Sequence, residues 1–484
     1  MVFSSLVFLF LFLPIVLLVY SSLRSVAWRN AFLLLASLFF YAWGELSFLW
    51  VMLLSIVLNY AFAITIDEAK EEGARKLSLL MAVFVNLGIL VFFKYADFIL
   101  TEVDLVLAKL HIQQIPIPLI TLPLGISFFT FHSLSYVIDI YRKQAKAQGN
   151  PINLALYISL FPQLVAGPII RYHDVSDQIT ERKVNVEKFA EGTRRFVIGL
   201  GKKMLIANTM AAVADKVFGM NLHELTPSVA WLGTICYTLQ IYFDFSGYSD
   251  MAIGLGLMFG FRFLENFNFP YIAQSIREFW QRWHISLSNW FRDYLYIPLG
   301  GNRHGEWRTR FNLVTVFFLC GLWHGASWNF IIWGLYHGAF LGLERSGFGN
   351  FLQKIPRPLK HAYTIFVVMM GWVLFRAETL RQAMMFYKAM FGLAHPIPSE
   401  YTLGVLLDNR VLFILLLGIL GSTPIIRDWL FPPTRDVKTQ APLPEVRQPA
   451  YRAVIRTAWV GAILSLSITE MAAGTYNPFI YFRF

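Results

Sequence analysis

Two histidines, His284 and His324, stand out among the ten in the chain because each directly follows a tryptophan, in RWH and LWH. Both lie in one stretch, REFWQRWHISLSNWFRDYLYIPLGGNRHGEWRTR (277–310) followed by FNLVTVFFLCGLWHGASWNFIIWGLYH (311–337). A neutral imidazole can accept a proton near ambient pH, so either could act as a general base. A lone histidine in an apolar run can also be a satisfied core hydrogen-bonder. Context favours chemistry for His324: an ionisable group at membrane depth is costly, and Gly321 and Gly325 leave room for close approach. Cys320 lies one helical turn before His324 and offers a Cys-His nucleophile pair, or only a small apolar filler. His324 and His337 have no carboxylate or third histidine at ligand spacing, so no metal site is expected. Asp244 and Asp250, in DFSGYSD, are either acids of a site or residues that cap broken helices or pair with an arginine. The basic residues Arg277, Arg282, Arg292, Arg303, His304, Arg308 and Arg310 form either a positive cytoplasmic loop or a mouth that captures a polyanionic donor. No P-loop, dinucleotide fingerprint or HExxH occurs, which disfavours an ATP-driven pump or a zinc protease.

The elements that must position these residues are membrane helices. Of 484 residues, 56% are hydrophobic and only 15% charged, against roughly 25% charged in a soluble domain, and mean hydropathy is +0.53. The apolar runs predict an all-α polytopic membrane protein of roughly eleven or twelve crossings or re-entrant segments. They do not alternate with period two, so a barrel is not expected. The net charge of +11 sits in short loops, where it orients a membrane protein and does not call for nucleic acid. Cys236 and Cys320 both fall within apolar runs, so no disulfide framework is expected. Residues 2–20 read as a first crossing; Arg24 and Arg29 after them, and the loop DEAKEEGARK (67–76), mark the cytoplasmic side.

Farther along, Pro162 and Gly167-Pro168 should break the helix at 152–170, a segment tolerated at membrane depth only if buried in protein or lining a cavity. From Val186 onward, Phe189, Phe196, Val197 and Leu200 recur at helical spacing and suggest an amphipathic helix along the interface. Apolar runs 228–245 and 248–263 flank DFSGYSD. The chain reads as one polytopic domain, 1–484, with a core of about 244–345 carrying the chemistry and an aromatic tail at 475–484.

REFWQRWHISLSNWFRDYLYIPLGGNR, preceded by YFDFSGYSDMAIGLGLMFGF and followed by LWHGASWNFIIWGLYHG, resembles the membrane-bound O-acyltransferase superfamily. Within it, the chain is most similar to the bacterial alginate O-acetyltransferase branch, beside cellulose acetylation proteins and the D-alanyl transferase of teichoic acid modification. The similarity runs from about residue 30 to the end.

The resemblance implies helices ringing a central tunnel, with His324 at the catalytic position and His284 at a second, more variable one. It implies an O-acetyltransferase of the bacterial inner membrane, acting in exopolysaccharide O-acetylation. An acyl group would pass from a cytosolic thioester to an acceptor on the other side. Acetyl-CoA fits the basic mouth, where Arg277, Arg282, Trp283, Arg292 and Arg303 would bind it; an acyl carrier protein is the donor in the D-alanyl branch. Asp244, Asp250, Trp323 and Asn289 would support the site, and no cofactor or metal is implied.

The tail NPFIYFRF resembles an aromatic motif whose tyrosine, here Tyr481, is proposed to take the acyl group temporarily; the alternative is an interfacial aromatic anchor. A phenol needs a base, and His324 could serve. A periplasmic serine esterase-like partner of the SGNH type would then pass acetyl to polysaccharide hydroxyls. Besides donor and partner, membrane lipids are the expected contacts, and nucleic acid is not. A different class stays open at this point: a transporter or channel whose buried histidines line a proton or solute path.

Overall fold

The computed structural model describes residues 1–115, 120–432, 450–474 and 476–478. Among the described residues the chain is helical and has no strand. Five helical stretches are long and apolar enough to cross a membrane: Val26–Glu68, Glu72–Lys109, Val186–Phe218, Arg357–Arg376 and Tyr451–Ala472. Two shorter apolar helices, Phe8–Ser22 and Asn409–Gly421, add to them. In lipid, every backbone polar group must bond within its own segment, which is why apolar runs of this length become helices. The chain is a multi-pass membrane protein. By Cα proximity it divides into two compact units, 1–192 with 255–263 and 325–327, and 193–254 with 264–324 and 328–484.

In the first unit, helices Leu49–Glu68, Glu72–Lys109 and Ile126–Tyr141 pack together, and Val26–Glu45 packs on Pro151–Ser159. Their polar residues are matched to one another. Asn59 and Asn86 exchange side-chain hydrogen bonds at 3.0 and 2.7 Å, and Asn30 donates to Asn153 at 2.7 Å. The expected break at 152–170 is present. Helix Pro151–Ser159 stops at Leu160, a single turn Phe161–Leu164 follows, and residues 160–170 are buried. The freed backbone groups find side chains: Ser37 Oγ accepts from the Phe161 N–H at 3.1 Å, and the Tyr157 hydroxyl donates to the Ile170 carbonyl at 2.8 Å. Phe3, Phe8, Phe12, Phe40 and Phe161 close the unit's aromatic core.

Two expectations change. DFSGYSD does not interrupt a helix; it lies within the single 32-residue helix Pro227–Met258. A carboxylate breaks an apolar helix only if it lacks a partner, and both have cationic ones, described below. Nor is the segment from Val186 a surface helix. It continues from Val186–Gly201 through a π-helix, Lys202–Ala207, into Asn208–Phe218, and counts as a candidate span. Its cationic face is neutralised by protein carboxylates instead of lipid headgroups, so Phe196, Val197, Leu200 and even Lys203 are buried.

The second unit is built around helices Gly305–His324 and Trp328–Glu344, its most intimate helix pair. A methyl group on Gly321 would collide with the Phe330 carbonyl, and one on Gly334 with that of Phe317. Close approach at Gly321 is therefore made by the neighbouring helix backbone, as small residues permit in membrane bundles.

Candidate active site

His284 sits between two seven-residue helices, Ile276–Arg282 and Ile285–Phe291, with φ 43° and ψ 54°. A non-glycine residue in this left-handed region costs about 1–3 kcal/mol and persists only where its surroundings hold it. Asn266 is the holder. Its backbone carbonyl accepts from the Ile285 N–H at 2.9 Å. Its side-chain Oδ1 accepts from the Ser286 N–H at 3.2 Å and the Ser286 hydroxyl at 2.8 Å, and lies 3.2 Å from His284 Nδ1. A backbone N–H only donates, so that atom is an acceptor and His284 Nδ1 must carry the proton. Nε2 is left with its lone pair, buried and without a hydrogen-bond partner among the described residues. That nitrogen can accept a hydrogen bond from a bound group and so orient it.

His324 ends helix Gly305–His324 and is buried at 6% exposure. Its ring meets Trp323, Trp333 and Phe375 edge-on, at centroid distances of 4.9, 5.1 and 5.2 Å. Trp323 is common to both histidines, 6.0 Å from the His284 ring, and Phe245 closes the other side of His284 at 4.6 Å. The two histidines therefore share a water-excluding aromatic enclosure, in which a proton acceptor acts without competing solvent.

Asp244 and Asp250 are ion-paired. Asp244 meets Lys203 at 2.8 Å with both side chains almost fully buried. Asp250 meets Arg195 at 2.8 Å and Lys202 at 2.7 Å, and Glu265 completes the group on Arg195. Removing one member of a buried pair leaves an uncompensated charge and costs about 3–5 kcal/mol.

The expected donor-binding residues separate. Arg277, Arg292 and Arg303 are exposed. Arg292 pairs with Asp293 at 2.6 Å, and the Arg277 N–H donates to Glu344 at 3.0 Å. Arg282 holds the 266–268 segment: it pairs with Glu278 at 2.9 Å, and its Nη1 donates to the Asn268 carbonyl at 3.0 Å. Trp283 is core, stacked on Phe279 at 5.6 Å and packed on Trp372 at 4.9 Å. Asn289 is half-buried on helix Ile285–Phe291. Tyr481 lies outside the described residues. Cys320 is buried. Among the described residues no group of three histidine, cysteine or acidic side chains is gathered to hold a metal ion.

Sequence reasoning passed over Asn266 and Phe245 here, and weighed His337 only as a metal ligand. Asn266 lies 18 positions before His284 in no recognisable pattern, and only the fold joins them. Phe245, beside Asp244, carries no sequence signal that its ring meets His284. His337 is fully buried against Trp280 at 5.1 Å and Trp333 at 5.2 Å, with neither ring nitrogen hydrogen-bonded among the described residues. It backs the Trp333 ring that faces His324.

The family profile for membrane-bound O-acyltransferases matches residues 35–386, which include both histidines. The chain belongs to the membrane-bound O-acyltransferase family. It is an O-acyltransferase, and membership replaces the transporter or channel reading. The chain is 42% identical to the probable alginate O-acetylase of Azotobacter vinelandii over the whole of both proteins. It is 39% identical to the peptidoglycan O-acetyltransferase of Helicobacter pylori over 81% of the chain and 80% of that protein. A teichoic acid D-alanyltransferase of Bacillus subtilis is 32% identical over 48% of the chain and 60% of its own length. The names of these relatives differ in the acceptor: alginate, peptidoglycan and teichoic acid.

Proposed function

We propose that this O-acyltransferase moves acetyl groups from a cytosolic thioester, acetyl-CoA, across the bacterial inner membrane for O-acetylation of an exopolysaccharide such as alginate. The observation that carries the mechanism is the pair of enclosed histidines, one of them held by Asn266 with a free Nε2. In the proposed step, His324 takes the proton of the acceptor hydroxyl as its oxygen attacks the thioester carbonyl. The tetrahedral intermediate collapses, the C–S bond breaks, and the thiolate leaving group takes the proton back from the imidazolium, giving an ester and free CoA. His284 orients donor or acceptor in the same enclosure, and positioning of this kind supplies a large part of such an acceleration. Arg277, Arg292 and Arg303 offer exposed cationic contacts for the phosphates of CoA. Tyr481 is proposed as the first acceptor. Its aryl ester stays activated, and the serine of a periplasmic SGNH-type partner then takes the acetyl group for transfer to polysaccharide hydroxyls.

Support for alginate as the polymer comes from 42% identity, over the whole of both proteins, to relatives named probable alginate O-acetylases. The Helicobacter pylori relative supports a second reading, peptidoglycan. Replacing the chromosomal gene by wild type or His324→Ala, then measuring ester-linked acetate on secreted polysaccharide and on isolated peptidoglycan, separates them. The proposal expects loss on the secreted polymer alone. Loss confined to peptidoglycan would transfer the assignment to that polymer.

A further inference from the structure

The span Val186–Phe218 contains a π-helical segment, Lys202–Ala207. Its i→i+5 bonding, in which the Asn208 N–H donates to the Lys203 carbonyl, widens the turn, so Lys203 and Asn208, five apart, come closer to one face than 3.6 residues per turn would place them. Asp215 follows Asn208 by seven residues, two ordinary turns, and extends the same face.

Three consecutive residues near the C-terminus lie along this strip in the opposite direction. The Tyr476 hydroxyl donates to Asp215 Oδ2 at 2.7 Å. Asn208 Nδ2 donates to Asn477 Oδ1 at 3.3 Å. Lys203 Nζ donates to the Pro478 carbonyl. The strip is itself fixed from behind: Asp215 is paired with Arg376 at 2.6 Å, and Lys203 with buried Asp244 at 2.8 Å. Helix Ala450–Ala472, which leads into the segment, is seated on the same span, where Ile463 fills the space that a side chain at Gly201 would occupy.

We propose that the face formed by Lys203, Asn208 and Asp215 is a docking strip for residues 476–478, an intramolecular peptide site that gives the C-terminal segment a fixed origin beside Asp244. The pattern is specific, because one side chain, one side-chain amide and one backbone carbonyl each meet a different partner in register. Tyr481 is three positions beyond Pro478, a reach of at most ~11 Å. Docking therefore sets where a tyrosine acceptor can be presented, and this consequence rests on the relay proposed above. Docking itself does not.

The test uses the full-length protein in membranes. Asn208→Cys with Asn477→Cys is oxidised, and the linked peptides are quantified by mass spectrometry against Thr209→Cys with Asn477→Cys, whose first cysteine is turned about 100° around the helix. Docking predicts at least about a tenfold higher yield for the first pair. Equal yields, or no linkage in either, would overturn the strip.

Tyr476→Phe, which removes only the hydroxyl, is then assayed for acetate on the secreted polymer beside Tyr481→Phe. The docking account with the relay expects both to lower acetylation, Tyr476→Phe several-fold and Tyr481→Phe completely. Preferential crosslinking with full activity in Tyr481→Phe keeps the strip and removes the relay, so the two ideas fail separately.

Discussion

Within the second unit, the region around the histidines and the strip along Lys202–Asp215 solve opposite problems. Around His284 and His324 the neighbours are aromatic rings, and one nitrogen keeps its lone pair unused. Along the strip, Arg195, Lys202, Lys203 and Arg376 each meet a carboxylate. A single helix, Pro227–Met258, serves both regions: Asp244 faces Lys203, while the next residue, Phe245, faces the His284 ring. Ionisable residues in a membrane protein need sorting by what they have left to offer. A fully paired ion holds the structure, whereas a held imidazole with a free nitrogen can do chemistry.

If the contrast is right, substitutions on the two sides should fail in different ways. The largest effect is expected for His324→Ala: loss of a general base lowers acetyl transfer by about 10²–10⁴-fold in the protein that remains folded. Lys203→Met should do the reverse first. It takes away the cation that buried Asp244 meets at 2.8 Å, and the roughly 3–5 kcal/mol cost of breaking a buried pair should appear as reduced yield and a lower unfolding temperature, whatever the assay of activity shows. Asn266→Ala sharpens the histidine side. It frees the His284 ring to turn, and about tenfold lower kcat is expected, equivalent to ~1.4 kcal/mol. An unchanged kcat there would mean that the tautomer of His284 plays no part.

The smallest effect belongs to the first unit and serves as a control for ordinary ion pairing. His173 Nδ1 lies 2.8 Å from Asp139 Oδ2. The hydrogen bond to Asp139 lifts the histidine above its usual range against the opposing effect of burial, and the charges of Asp139 and Asp174 add to the lift. A raised folded value means that the stabilisation is complete below the ordinary histidine pKa of about 6.5 and is lost as pH rises through the raised one. The gap in unfolding temperature between wild type and His173→Gln should therefore be widest below about pH 6.5 and shrink as pH rises above it, with no matching change in the ratio of their activities.

The helical class, the broken segment at 152–170 and the special standing of His284 and His324 were legible because each rests on local signals: apolar length, proline placement, and a histidine in a glycine- and tryptophan-rich run. The path of Val186–Phe218 was not, because whether a cationic face lies at headgroups or inside protein depends on carboxylates far along the chain, Asp244 and Asp250. The same blindness to distant partners hid Asn266, and it gave no sign that the Trp283 ring packs on Phe279 and Trp372. Gly321 was correctly read as a place of close approach, but the approaching group is the backbone at Phe330.

The central claim, histidine-dependent transfer from a thioester to an acceptor on this chain, is tested most directly by mass spectrometry. Purified wild type, His324→Ala and Tyr481→Phe are incubated with acetyl-CoA labelled in the acetyl group, and the C-terminal peptide is weighed. The account predicts label on that peptide in wild type and none in either variant. Equal labelling in His324→Ala would contradict it, because the proton would then be leaving the acceptor without the base on which the account depends.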